Sequence, residues 1–183
     1  YKKGLFYALA AFTTWGFVPV YWKWIHSVGA LSVMSHRVIW ASVFLSLSII
    51  FLKQTKPVKE IIVKRLHFLR LFIGSILIGA NWLIYIYAVQ NGHVIESSLG
   101  YFLNPLLNMV FGFVLFKEKL NSLQKTAVLL AAFGVGFLIL KTGGLPWIAL
   151  SLSFTFALYG VLRKKMTISG LQATLIETYF LLI

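Results

Sequence analysis

The chain has 183 residues, of which 60% are hydrophobic and only 11% are charged, and its mean hydropathy is +0.87. In soluble domains about a quarter of the residues are charged, and surface helices have one polar face. This composition therefore excludes a soluble globular domain and indicates a membrane protein. The net charge of +13 does not indicate nucleic-acid binding, because neither a basic face nor a known binding module accompanies it.

Six apolar runs reach or approach the roughly 17 to 25 residues that a spanning helix needs. They cover residues 4–22, 31–52, 68–89, 94–116, 123–140 and 145–162. A seventh run begins near Leu171 and is cut off at the end of the chain. The order predicts an all-α polytopic membrane protein with six transmembrane helices and the start of a seventh. Because the chain opens on Tyr1 and stops inside an apolar run, we expect it to be part of a longer protein.

Lys and Arg gather in alternate connections between these runs. Of the 17 basic residues, 14 lie on the side that holds the amino terminus, Lys23 and Lys141 lie on the other, and Arg37 lies inside the second run. Cytoplasmic loops are enriched in Lys and Arg, so the amino terminus is predicted to be cytoplasmic. The basic connection 53–70 could form a short helix on anionic lipid, but we favour the simpler interpretation that its charges only set the topology.

Arg37 is the first ionisable residue that lies well inside a span. It follows the start of its run by about six residues, which places it roughly 9 Å below the boundary at about 1.5 Å per residue. Such residues often mark a pathway, a partner or a site. Arg37 either snorkels to the surface or faces a water-filled cavity, where it would anchor an anionic group or close the outer end.

The fourth run carries a polar stripe. Glu96, Gly100, Asn104 and Asn108 are spaced four apart and therefore share one side of a helix, which lipid could not satisfy. Pro105 removes one backbone hydrogen bond near mid-span. We interpret Asn104 and Pro105 as lining a substrate cavity and Glu96 as a boundary residue. The alternative is that the asparagines only hold helices together.

Two other runs offer candidate lining residues. Asn81 and Tyr85 share a face of the third run, and Trp15 lies deep in the first. Aromatic side chains at run ends are more simply explained as an interfacial belt. Small residues within runs are interpreted as sites of close helix contact: Gly74, Gly79, Gly134 and Gly136.

A short internal repeat relates the first and sixth runs. The sequence "AFTTWG" at 11–16 matches "TFALYG" at 155–160 at three positions, and the elements that follow place Arg37 opposite Glu177. A repeat of five helices must be inverted, because its second copy starts on the other side of the membrane, and inverted repeats are a common plan of secondary transporters. We therefore predict that Arg37 and Glu177 are gating residues at opposite mouths.

Enzymatic chemistry finds no support in the sequence. There is no phosphate-binding glycine loop, no nucleophile elbow and no acid paired with a base. The chain has no cysteine, and its four His residues show no metal-ligand spacing. We expect neither an enzyme nor a cofactor or metal.

The segments "GLFYALAAFTTWGFVPVYWKW", "HRVIWA", "NWLIYIYAVQNGHVIESSLGYFLNPLLN", "FKEKLNSLQKTAVLLAAFGV" and "GGLPWIALSLSFTFALYGVLRK" closely resemble the RarD-type, chloramphenicol-sensitivity proteins of the EamA family, in the drug/metabolite transporter superfamily. The resemblance implies ten helices in two inverted five-helix repeats, in the bacterial inner membrane, working by alternating access. Residues 1–143 would be the first EamA repeat, and 144–183 would be the start of the second. Such a chain needs further helices or another chain to transport, so a homodimer is one expected state.

The function that these observations favour is a secondary transporter of a small metabolite or drug-like solute, with the lipid bilayer as its other partner. Its cavity would lie between the first, third, fourth and sixth runs. Smaller drug exporters of the superfamily use an acid in their first helix, which is absent here, so a neutral or zwitterionic solute fits better than a cationic drug. The alternatives are a non-transporting membrane scaffold or assembly subunit and, with less support, a channel.

Overall fold

The computed structural model describes residues 2–183, and the side chains of all of these except 2, 3, 56, 57, 59 and 142. Over that range the chain is all-helical, as predicted, and contains no strand. The eight helices are α1 (Lys2–Trp24), α2 (Ala30–Phe51), α3 (Thr55–Val63), α4 (Arg65–Gln90), α5 (Val94–Phe116), α6 (Ser122–Thr142), α7 (Trp147–Lys164) and α8 (Gly170–Phe180). Each predicted run coincides with one helix, apart from shifts of a few residues at the ends.

Five helices in the described part of the chain are long and apolar enough to cross a membrane: α1, α2, α4, α5 and α6. The sixth predicted span, α7, is not among them. It has 18 residues, and its last turn contains Arg163 and Lys164, which shorten its apolar stretch. A sixth crossing therefore stays a prediction, as do the ten-helix fold with two inverted repeats and the division of the chain at residue 143.

The connection between α2 and α4 contains a helix, α3, which the sequence offered as the alternative to a purely topological role of its charges; its contact with lipid stays a prediction. α3 packs on α4 and α8, and its Ile61 is buried in a cluster that includes Leu71 and Ile176. At the same end of the molecule the Gln172 amide donates to Gln54 Oε1 over 3.1 Å. Packing against two helices thus orders a segment that composition alone describes as a basic loop.

Local sequence explains where α6 begins and ends. Asn121 accepts from the Gln124 N–H at its side chain over 2.8 Å, and its own N–H donates to Gln124 Oε1 over 2.9 Å. This reciprocal pair is a capping box, which satisfies two backbone donors that the first helical turn leaves free. At the other end Gly143 has φ of 68°, a left-handed conformation that glycine adopts without steric cost.

α4, α5 and α7 form the centre of the molecule, and α5 and α7 make its most extensive helix contact. That contact needs Gly100, because a Cβ there would lie 2.9 Å from both the Ala149 carbonyl oxygen and Leu152 Cβ. Gly74 and Gly79 also lie against neighbouring side chains, as predicted. The prediction for Gly134 and Gly136 was wrong: within the described chain their α6 positions face open space, since α6 packs only at the edge of the bundle.

Candidate functional site

Aromatic rings from four helices lie against one another, with the ring on α1, Trp15, still 44% exposed. Trp15 of α1 lies 6.4 Å, between ring centroids, from both Tyr85 of α4 and Tyr101 of α5, and the two tyrosine rings are 5.4 Å apart. The chain of contacts continues through Phe156 to Tyr159 on α7. We call these five residues the aromatic cluster. It connects the four helices that the sequence assigned to a substrate cavity.

Arg37 extends from α2 towards this cluster. Its guanidinium carbon lies 4.0 Å from the centroid of the Trp82 ring, a cation–π geometry. The hydroxyl groups of Tyr85 and Tyr101 lie within electrostatic range of this guanidinium. Of the candidate lining residues, the structure therefore brings together Trp15, Arg37 and Tyr85.

The same arginine lines a groove between α1 and α2 with a volume of about 500 Å³. Its walls are three aromatic residues, two basic residues and three aliphatic residues: Tyr21, Trp22, Trp40, His36, Arg37, Ile25, Val28 and Val33. We call it the α1–α2 groove. Volumes of roughly 300 to 1,000 Å³ with mostly apolar walls and few polar groups are usual for small-molecule sites.

Asn81 is placed differently from Tyr85, although both lie on α4. It is fully buried, and its amide nitrogen donates to the Leu152 carbonyl over 2.8 Å and to Thr155 Oγ1 over 2.9 Å. Both acceptors belong to α7, so Asn81 joins two helices. Its Oδ1 is buried and accepts no hydrogen bond within the described structure.

The polar stripe of α5 lies against α7 at Gly100 and Asn108, although Asn108 is exposed and Glu96 is half-buried. Asn104 is buried and its Oδ1 lies 3.4 Å from the Asn108 amide nitrogen. A Cβ at Gly160 of α7 would lie 3.2 Å from Asn108 Oδ1. Pro105, in contrast, is exposed, and α5 runs through it as one continuous helix. Asn104 and Pro105 thus do not share one surface, and their cavity roles stay predictions.

Glu177 lies where α8 meets α4 and α7. It is only 1% exposed, and its Oε2 accepts a hydrogen bond from the Tyr159 hydroxyl over 2.9 Å. Its Oε1 has no partner in the described chain and would lie 3.1 Å from a Cβ at Gly74. The charge of Arg163, one turn beyond Tyr159 on α7, acts on Glu177. Tyr159 belongs to the aromatic cluster, so Glu177 is connected to it directly.

Arg37 and Glu177 lie towards opposite ends of the α2–α8 pair. These helices are antiparallel, because Ser46 bonds Tyr179 over 2.8 Å while Gln54 bonds Gln172. Arg37 precedes Ser46 by nine residues, which is about 14 Å of helix. Glu177 lies on the other side of the Ser46 level, towards α3. The arrangement agrees with the predicted placement of two gates, but their roles stay predictions.

Sequence analysis did not identify Trp82, Tyr101 and Tyr159 as members of this site. The ring of Trp82 lies under the Arg37 guanidinium. Tyr101 contacts three aromatic rings, and the Tyr159 hydroxyl donates a hydrogen bond to Glu177. The available signal was the match of Tyr159 to Trp15 in the internal repeat. Aromatic residues are so frequent in this chain, at 16%, that composition could not single these three out.

With this geometry in place, the comparison with known proteins decides the family. Residues 2–140 match the model of the EamA-like transporter family, which is about three quarters of the chain. The chain belongs to the EamA-like transporter family. Its EamA relatives include the RarD protein of Escherichia coli, 41% identical over 181 residues, and the uncharacterized transporter YojE of Bacillus subtilis, 40% identical over 184 residues.

The match to these relatives covers 99% of this chain but only 61% of RarD and 62% of YojE. An uncharacterized transporter of Vibrio cholerae is 39% identical over 181 residues, which is 60% of its length. The chain thus spans about three fifths of the EamA relatives it matches. No solved structure matches it. The family model and the relatives from Bacillus subtilis and Vibrio cholerae are described as transporters, and the five long apolar helices of the described chain are those of a multi-pass membrane protein.

Proposed function

We propose that this chain forms the larger part of a secondary transporter that moves a small solute by alternating access. The observation that carries the proposal is the aromatic cluster, which joins α1, α4, α5 and α7 and has one ionisable side chain at each end. Arg37 lies at one end, above Trp82, and Glu177 lies at the other, bonded to Tyr159. Intramembrane charges placed in this way mark a pathway far more often than a structural core.

The proposed cycle uses these two side chains as gates. Arg37 rests on an aromatic ring rather than in an ion pair, and Glu177 is held by a single hydrogen bond, so each can change partner at a modest cost. Opening at Arg37 would expose the cluster to the outside, and opening at Glu177 would expose it to the cytoplasm. Trp15 and Tyr85 would then contact the solute, while Asn81 holds α7 against α4 through its two hydrogen bonds.

The proposal includes the architecture and location that the family resemblance implies. Residues 1–143 would be the first repeat and residues 144–183 the start of an inverted second repeat in a ten-helix protein. The protein would lie in the bacterial inner membrane with its amino terminus in the cytoplasm, as the distribution of Lys and Arg favours. A homodimer would be an alternative way to complete the pathway.

Transport by the full-length gene product, purified and reconstituted into vesicles, tests the proposal. Four radiolabelled solutes should be compared: phenylalanine, phenylacetate, phenylacetamide and phenethylamine. We expect uptake of at least one to saturate and to accelerate when the vesicles are preloaded with the same unlabelled solute, because a carrier returns faster when occupied. Uptake that stays linear with concentration and ignores preloading would indicate a channel, and no uptake of any solute would indicate a scaffold.

A further inference from the structure

The acidic residues of this chain leave Arg37 without a counter-charge. The sequence has only four, Glu60, Glu96, Glu118 and Glu177. Glu96 pairs with His93 over 2.8 Å, Glu118 pairs with Lys164, and Glu177 accepts from Tyr159. Glu60 lies on α3, beyond the far end of α2. No ion pair or hydrogen bond to Arg37 is present in the described structure.

A charge without a partner is costly this deep in a protein–lipid environment. The groups around the guanidinium are the Trp82 ring, at 4.0 Å, and the rings of the α1–α2 groove. Aromatic faces stabilise a cation only in part, by about 0.5 to 2 kcal/mol. The electrostatics of the groove therefore favour an anionic occupant.

Trp22 lines the groove with its ring and not with its ring nitrogen. The indole Nε1 is buried and donates no hydrogen bond within the described chain, whereas the residue forms part of the groove wall. Arg37 is therefore the charged donor that the groove offers to the acceptor oxygens of a ligand.

The other residues that line the groove indicate what the rest of the ligand would be. Tyr21 and Trp40 add aromatic surface, and Ile25, Val28 and Val33 add aliphatic surface. The ionisable residues that line the groove are Arg37, Tyr21 and His36, and His36 is exposed. No acid is among the described residues that line the groove, so an ammonium group would meet only aromatic faces and the like charge of Arg37.

We infer that the α1–α2 groove binds a small organic anion, a carboxylate on an aromatic or other apolar body, with Arg37 holding the carboxylate. The inference rests on the proposed function, because the bound anion would be the transported solute. The sequence favoured a neutral or zwitterionic solute. The groove changes that expected substrate class to solutes with a free carboxylate. Arg37 would then be both the outer gate and the anion anchor.

Calorimetric titration of the full-length protein in lipid nanodiscs tests this inference without requiring transport. The probes are phenylacetate, its neutral amide phenylacetamide and the cation phenethylamine, which share one ring. We expect phenylacetate to bind about tenfold or more tightly than phenylacetamide, as a charge-assisted hydrogen bond provides, and phenethylamine not to bind measurably. Equal binding of the acid and the amide would overturn the inference, whatever the uptake assay shows.

Three variants assign the preference to the groove. Arg37→Gln should abolish the preference for the acid over the amide, and Trp22→Ala, which removes one wall of the groove, should weaken binding of the acid and the amide alike. Lys23→Gln is the matched control, since it removes a positive charge from the same end of α1 at an exposed position, and it should change neither affinity. A preference that survives in Arg37→Gln would overturn the inference.

The lipid headgroup is the other source of an anion near this groove. The titration should therefore be repeated in nanodiscs of phosphatidylcholine alone and of phosphatidylcholine with phosphatidylglycerol. We expect the same preference for phenylacetate in both bilayers. A preference that disappears whenever the anionic lipid is present would assign Arg37 to a lipid phosphate and would overturn the inference.

Discussion

Replacing Gly100 with valine is expected to destabilise the protein more than any other single change at a helix contact. Even one added carbon would lie 2.9 Å from the Ala149 carbonyl oxygen and from Leu152 Cβ, and neither a backbone oxygen nor a Cβ can rotate away. α5 and α7 must therefore separate at their main contact. Overpacking of this kind costs about 1 to 3 kcal/mol, and Gly100→Ala should show a smaller loss.

The measurement is the apparent melting temperature of the purified protein in detergent, read from the fraction that stays monodisperse after heating. Gly134→Val is the matched control, because a Cβ at Gly134 meets nothing within 4 Å in the described structure although it lies on an equally apolar helix. We expect a clear fall for Gly100→Val and little change for Gly134→Val. Equal stability of the two variants would contradict the α5–α7 packing.

Replacing Glu177 with glutamine is expected to have the largest effect on transport. The variant keeps the size of the side chain and an oxygen that can accept from the Tyr159 hydroxyl, so the fold should persist. It removes the one acid buried at the junction of α4, α7 and α8. If this charge controls the inner opening, the transport rate should fall about tenfold or more, the usual cost of losing a charge-assisted interaction.

Initial uptake rates in reconstituted vesicles measure this effect, normalised to the amount of folded protein. Glu118→Gln is the control, since it neutralises an exposed acid that pairs with Lys164 at the surface, and such pairs contribute little. Tyr159→Phe should give an intermediate loss, because it leaves Glu177 with neither of its oxygens bonded. Uptake by Glu177→Gln at the rate of the unchanged protein would show that Glu177 is only structural.

The positions of the helices could be predicted from sequence because a bilayer imposes a simple length and polarity rule. Each apolar run forms one helix, and the capping residues Asn121 and Gly143 mark the two ends of α6. α3 was offered only as the less favoured alternative, for the opposite reason. Its order comes from Ile61 packing on α4 and α8, a contact between segments distant in sequence that no local pattern encodes.

The candidate site was predicted only in part. Depth along a helix could be counted, which singled out Arg37 and Glu177 as candidates, and helical spacing showed that lipid could not satisfy the stripe on α5. Which neighbouring helix the stripe contacts could not be predicted from residue spacing. Asn81 therefore proved to bond α7, while Tyr85, one turn away, joined the aromatic cluster. Spacing gives the face of a helix, but packing decides what that face contacts.

The most direct test of alternating access is the accessibility of two introduced cysteines to a membrane-impermeant maleimide. This chain has no cysteine of its own. Val33→Cys reports on the α1–α2 groove beside Arg37, and Ser75→Cys reports on the buried α4 position next to Gly74 and Glu177. Labelling should be measured with and without a saturating transported solute.

The account predicts that the solute changes the two labelling rates in opposite directions. It also predicts that Arg37→Ala raises labelling at position 33 from the outside, that Glu177→Ala raises labelling at position 75 from the cytoplasmic side, and that both slow transport. If both substitutions leave the transport rate and the labelling at the two positions unchanged, Arg37 and Glu177 are not gates, and the alternating-access account of this site is contradicted.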